Sequence, residues 1–327
     1  MNSNGDCLSF GDNPIGDAIS RIRFAPTSDN LLISSWDSNL RLYDTESCKL
    51  RAQARTEAPI LDCCFQDESF ALAASADCSI KRYDLHSEFE FTVGYHDDLA
   101  THVDFSSETC QVITAGLDRK IKLWDIRSAE ALKSLNSIPI EVDSLSLSGV
   151  TLLVAAGPSV YIYDLRKFDK STGTQKTCMD SRITCVRPSI DFEEFVVGSI
   201  DGRVAVKSPS TFDGYTFRCH PKQKNGRTYT VRVNDIAFLP SISGAFVTGD
   251  NKGYVILWNA RSKKRLLEFQ RYPNGIASLS INCGGQLLAV ASSYTYQEAN
   301  EIENSPQIFI QKLDDCNIQS YTAGSSK

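Results

Sequence analysis

The chain has 327 residues, 42% hydrophobic and 23% charged, the balance of a folded protein with ample core material. A formal net charge of −6 argues against general nucleic-acid binding, which needs a basic surface to displace phosphate counterions. The opening MNSNGDCLSFGDN lacks the basic and apolar regions of a signal peptide, and no stretch approaches the roughly 18 consecutive apolar residues of a membrane span. Eleven cysteines, an odd total with no C-x-x-C spacing, indicate neither a zinc site nor a disulfide framework. Cys63 and Cys64 in ILDCCF sit in the apolar setting of free thiols, so a reducing compartment, nucleus or cytosol, is expected.

In chain order, the apolar stretch CLSF (7–10) precedes the alternating ISRIRF. A pattern then recurs: SSWDSNLRLYD (34–44), ASADCSIKRYD (74–84), TAGLDRKIKLWD (114–125), AAGPSVYIYD (155–164), GSIDGRVAVKS (198–208) and TGDNKGYVILWN (248–259). The first four copies end at Asp44, Asp84, Asp125 and Asp164, close to forty residues apart, and a divergent seventh runs from AVASSYTYQ to IFIQKL (289–313). Small residues, a turn and an alternating strand at this period predict an all-β, seven-bladed WD-repeat propeller. A blade buries its faces only against neighbours, so the ring must close, and CLSF is expected to complete the last blade beside IFIQKL. The whole chain, 1–327, then forms one domain with a short flexible tail from about 314 to 327. Asp37, Asp77, Asp118 and Asp201 each fall in the tight turn before a third strand, where a short acceptor side chain bonds backbone amides.

The third copy brings His96, Thr114, Asp118 and Trp124 into a set that resembles the hydrogen-bond network by which WD-repeat propellers fix a blade. A hydroxyl, an imidazole and a carboxylate could also form a nucleophilic triad, but no strained G-x-S-x-G elbow is present, and the structural reading is preferred. His96, Asp97, Asp98, His102 and Asp104 offer metal-ligand chemistry on a loop feeding a strand, whose alternation would point successive side chains apart. Neither DGRVAV nor NCGGQ fits a phosphate-binding loop. Most of the 16 Phe and 12 Tyr occupy alternation positions and read as core, not as stacking platforms for RNA. No catalytic residue, cofactor or metal is assigned.

The fifth copy breaks the pattern. Where its neighbours end in an aromatic residue and an aspartate, it finishes in Val206 and continues into basic residues. From Arg203 to Arg232 the chain carries Arg203, Lys207, Arg218, Lys222, Lys224, Arg227 and Arg232 against the single acid Asp213. This polar, glycine-containing segment predicts a hairpin or loop rising from blades five and six. Either it is a solvated basic loop or it docks an acidic or phosphorylated peptide, whose carboxylate or phosphate matches the planar arginine fork.

SSWDSNLRLYD, GSIDGRVAV, YTFRCH and YPNGIASLS…LLAVASSYTYQE resemble, in order and across essentially the whole chain, the Bub-three family of the spindle-assembly checkpoint. Its sister family is the messenger-RNA export factors of the Rae-one/Gle-two type. The resemblance implies a non-enzymatic adaptor that binds, on the top face, the GLEBS motif of Bub-one/BubR-one type kinases and phosphorylated Met-Glu-Leu-Thr repeats of the kinetochore scaffold. It implies no direct DNA or membrane binding, and residence in the nucleus, at kinetochores and centromeres in mitosis, with a cytoplasmic pool. Carried over, Trp36 is an apolar anchor, Arg203 meets the acidic pair of the GLEBS peptide and Arg218 faces phosphate, with Lys207 and Lys222 beside them. The chain departs from the family pattern GRVAVE at Lys207, and from YPVN at Val231 and Arg232. These changes are compatible with phosphate recognition and alter the fit expected for the kinase motif.

Overall fold

The computed structural model describes residues 5–294 and 304–313, apart from 12, 88, 127–130, 136, 137, 139, 178, 212, 220, 221, 225, 226 and 230, with backbone alone for 131, 222–224 and 227–229. The expected tail after 313 and the insert of the seventh copy lie outside these residues. Seven four-stranded antiparallel sheets, each a meander from an inner to an outer strand, make the seven blades of a propeller. The inner strands are Ile19–Phe24, Ile60–Phe65, Ala100–Ser106, Ser144–Ser148, Ile183–Pro188, Val233–Phe238 and Ile276–Ile281. One short 3-10 turn, Leu165–Lys167, is the sole helical element among the described residues, and no helix there is long and apolar enough to cross a membrane.

Burial follows position in the blade. Second strands such as Asn30–Ser35 and Ala245–Asp250 are covered on both faces by neighbouring blades, and each carries an unbroken apolar run, Leu31–Ile33 and Ala245–Val247, followed by small or polar residues. The outer strand of blade one, Lys49–Arg55, alternates exposed and half-buried residues because one face looks at solvent. Between blades the apolar faces merge, as where Ile113 and Leu123 of blade three pack with Leu152 and Val154 of blade four.

The last blade takes its outer strand from the chain start, as expected. Asp6 and Cys7 pair with Ile310 and Phe309, and the Leu8 amide donates to the Ile308 carbonyl at 2.8 Å. Gly5, at φ +78, passes so close to this strand that a Cβ there would lie 2.3 Å from the Ile310 carbonyl oxygen. The same segment grips blade one, where Tyr43 donates to the Ser9 carbonyl at 3.1 Å and lies 5.3 Å from the Phe10 ring.

Six of the seven inner strands carry a β-bulge near their start, immediately before Arg21, Asp62, His102, Cys185, Asp235 and Ser278. Arg21 bonds Asp62 of blade two at 2.9 Å and Asp235 of blade six at 3.2 Å. Blades one and six are not neighbours, so this second bond crosses the central channel. Arg187 of blade five reaches the other oxygen of Asp235 at 2.6 Å. Burial raises the pKa of both carboxylates, but the arginines outweigh it and hold Asp62 and Asp235 below the usual range.

Candidate partner-binding face

The His96 set is assembled in blade three. The imidazole Nδ1 lies 2.9 Å from Asp118 Oδ2, its Nε2 lies 2.7 Å from Thr114 Oγ1, and Trp124 Nε1 donates to the same hydroxyl at 2.8 Å. Burial lowers the histidine pKa more than Asp118 raises it, so the ring is neutral. Its Nδ1–H then donates to Asp118 while Nε2 accepts from Thr114. Thr114 is fully buried and cannot meet a substrate, so the geometry suits a strut and not a nucleophile. The other ligand-like residues scatter: Asp97 pairs with Lys120, whereas His102 and Asp104 lie on the inner strand and are pushed toward neutrality by burial. Among the described residues no three His, Cys, Asp or Glu side chains converge on a metal position.

Blade six repeats the strut with a substitution that the sequence did not reveal. Trp258 Nε1 donates to Thr248 Oγ1 at 2.9 Å, and the place of the histidine is taken by Cys219, whose Sγ lies 3.0 Å from that hydroxyl. The equivalence is geometric: the Cys219 amide donates to the Gly202 carbonyl as the His96 amide does to Cys78, both at 2.9 Å. Burial pushes the Cys219 thiol well up. The legible signal was the ten-residue Thr–Trp spacing shared by 114/124 and 248/258.

In an antiparallel meander, the turns between second and third strands share one end of every blade with the links from outer strand to next blade. Trp36 and Ile200 stand at equivalent places in these turns in blades one and five, 39% and 48% exposed. Beside Ile200, Asp201 accepts from Ser199 Oγ and from Arg203, whose Nε and Nη2 both lie 2.5 Å from Oδ2. Burial raises the Asp201 pKa, but these donors bring it down overall. Arg203 opens the third strand (Arg203–Lys207), and its ladder partner is Arg218, which ends the outer strand (Gly214–Arg218). Arg218 is exposed and forms no ion pair among the described residues. Arg232, half-buried, precedes the inner strand of blade six on the same face.

Between Arg218 and Arg232 the chain leaves the blades and forms a separate two-stranded hairpin, Lys222–Lys224 with Arg227–Tyr229. Lys222 begins it, with its side chain outside the described part. Lys207 is not with the others. It closes the third strand at the opposite end of the blade, four residues and therefore about 13 Å from Arg203. There it pairs with Phe195, as Tyr43 pairs with Leu31 in blade one, so the buried lysine fills the aromatic position of the repeat. The neighbour of the broken repeat's Val206 is thus the true replacement.

A family model described as WD domain, G-beta repeat, matches residues 7–44 and 88–125. Each match begins with the outer strand of one blade and ends with the third strand of the next, so the sequence repeat is offset by one strand from the blade. The chain is 47% identical to mitotic checkpoint protein BUB3.3 of Arabidopsis thaliana, over 94% of its own length and 99% of the relative's. It is 36% identical to BUB3.1 of the same plant, covering 94% and 93%. Protein Rae1 of Drosophila melanogaster is more distant, 27% identical with 93% of each chain covered. With 47% and 36% identity over 94% of its length, the chain belongs to the Bub3 family of mitotic checkpoint WD-repeat proteins.

Proposed function

We propose that the protein is a non-enzymatic adaptor of the spindle-assembly checkpoint, binding extended acidic or phosphorylated peptides across the face that bears Trp36, Arg203 and Arg218. The observation that carries this reading is the pairing of Arg203 directly opposite Arg218. Like charges at opposed positions of a ladder destabilise a sheet, and among the described residues an ion pair, to Asp201, forms at Arg203 alone. A carboxylate or phosphate arriving from a partner relieves that repulsion with charge-assisted bonds. Its partners in this reading are the GLEBS motif of checkpoint kinases and phosphorylated Met-Glu-Leu-Thr repeats of the kinetochore scaffold, with Lys222 contributing from the hairpin. Lys207, at the far end of the blade, takes no part. The protein then works in the nucleus and, in mitosis, at kinetochores and centromeres, exchanging with a cytoplasmic pool.

The similarity to Rae1 supports a second reading, an adaptor in messenger-RNA export at the nuclear pore. Imaging a fluorescent fusion in dividing cells without microtubules separates the two. The checkpoint reading predicts concentration on unattached kinetochores and its loss in Arg218→Glu. A persistent nuclear-rim signal, with polyadenylated RNA retained on depletion, contradicts it.

A further inference from the structure

The outer strand of blade one, KLRAQAR (49–55), is a free edge: no described strand pairs with its outer side. Its half-buried residues are Leu50, Ala52 and Ala54, and its exposed residues Lys49, Arg51, Gln53 and Arg55. The ladder pairs Ala54 with Leu40 and Ala52 with Leu42, the positions that in blade five hold Phe217, paired with Val204, and Tyr215, paired with Val206. There the two aromatic side chains fill the space beside blade six, Phe217 packing 4.8 Å from the Trp258 ring and Tyr215 donating to the Ala260 carbonyl at 2.7 Å. Alanine cannot reach as far. Between blades one and two the same space is a groove of about 660 Å³, floored by Leu32, Leu40 and Leu42 and walled on the far side by Tyr83, Leu85 and Phe89. Phe89 is 71% exposed.

We propose that this edge accepts an added β-strand from a partner protein, an extended segment in which carboxylates alternate with large apolar or aromatic side chains. The chemistry follows from strand alternation. Backbone groups of the incoming segment pair with the open edge of Lys49–Arg55. Every second side chain enters the groove where Ala52 and Ala54 leave room, and meets Phe89 opposite. The side chains between them stand beside Arg55 on the opposite face and Arg51 in the bulge that interrupts the ladder, neither of which has an ion-pair partner among the described residues. Positive charge along an edge by itself deters pairing between neutral strands. That protective role does not require the concavity behind the edge, and the same charges admit a strand bearing carboxylates.

The test is fluorescence anisotropy of the full chain with a fluorescein-labelled decapeptide alternating glutamate and tyrosine, and with its lysine–tyrosine counterpart. The glutamate peptide is expected to bind about tenfold or more tightly than the lysine peptide. Ala54→Phe, which rebuilds in blade one the filling that Phe217 gives blade five, should weaken binding at least about tenfold without lowering the melting temperature. The double reversal Arg51→Glu, Arg55→Glu should invert the preference between the peptides. Titrations in an Arg203→Glu background, which disables the other face, should show the same binding and the same response to Ala54→Phe and to the double reversal, which keeps this inference separate from the proposed function. Absence of binding in the Arg203→Glu background, or binding there that survives Ala54→Phe and the double reversal, would each overturn it.

Discussion

His96 acts through two hydrogen bonds, one donated to Asp118 and one accepted from Thr114, by a side chain without solvent exposure. Its replacement by alanine takes a donor from the Asp118 carboxylate and the acceptor from the Thr114 hydroxyl proton, and such a loss at buried polar groups costs about 1–3 kcal/mol. His96→Ala should therefore lower the unfolding free energy measured in urea by that amount while partner affinity is retained. Unchanged unfolding with lost binding would make the histidine a functional group instead. This network was legible because each of its members sits at a fixed distance from a turn or strand end. The exchange of Lys207 for the aromatic position was not, since a lysine in a basic run reads as surface until the ladder places it opposite Phe195.

His102 gives the protein a specific acid sensitivity. Burial brings its pKa from 6.5 to about 4, with Arg21 and Arg187 acting in the same direction and Asp62 against it. The unfolded chain therefore binds this proton more readily than the folded one, and the neutral ring's stability is complete above pH 6.5 and lost as pH falls toward 4. Denaturation in urea across that window should show roughly 2–3 kcal/mol of decline that is absent in His102→Asn. Equal pH profiles for the two proteins would place the ring in water.

At the scale of elements, the chain start performs more than its two ladder pairs suggest. It covers the Gln307–Lys312 edge, buries Leu8, and ties Ser9 and Phe10 to Tyr43 of blade one. Deleting residues 1–10 opens the last blade and exposes a strand edge that invites aggregation. Thermal unfolding of the truncated chain should occur at a clearly lower temperature and end in precipitation; melting at the wild-type temperature would mean that the ring closes without this segment. The seven strand meanders and their closure were readable because period and alternation are set by strand geometry. The hairpin at 222–229 was foreseen as a hairpin or loop, and its separation from the blade sheets came only from the structure. The alanine-lined groove escaped notice for a different reason. Ala52 and Ala54 obey the alternation, and only the ladder equivalence with Tyr215 and Phe217 shows that they are too small.

For the molecule as a whole, two clusters of charge join residues that are far apart in the sequence or opposed in the sheet. One is the channel, where Arg21, Arg187, Asp62 and Asp235 satisfy one another across blades that are distant in sequence. That arrangement joins strands from four blades and so could not be seen in any one repeat, although the arginines and aspartates interrupting apolar inner strands were its trace. The other is the face over blades five and six, where Arg203 and Arg218 are opposed and, among the described residues, only Arg203 of the two has a carboxylate partner. The net charge of −6 conceals this patch, which makes electrostatic recognition local.

The most direct test of a phosphopeptide-binding adaptor is calorimetric titration of the full chain with a scaffold peptide carrying phosphothreonine and with its unphosphorylated form, at two salt concentrations. Wild type should prefer the phosphorylated peptide, less so at high salt. Arg218→Glu should lose about 2–5 kcal/mol of binding, roughly 30-fold or more, while its unfolding free energy stays within about 0.5 kcal/mol of wild type. Equal affinities of the two proteins for the two peptides would contradict the account.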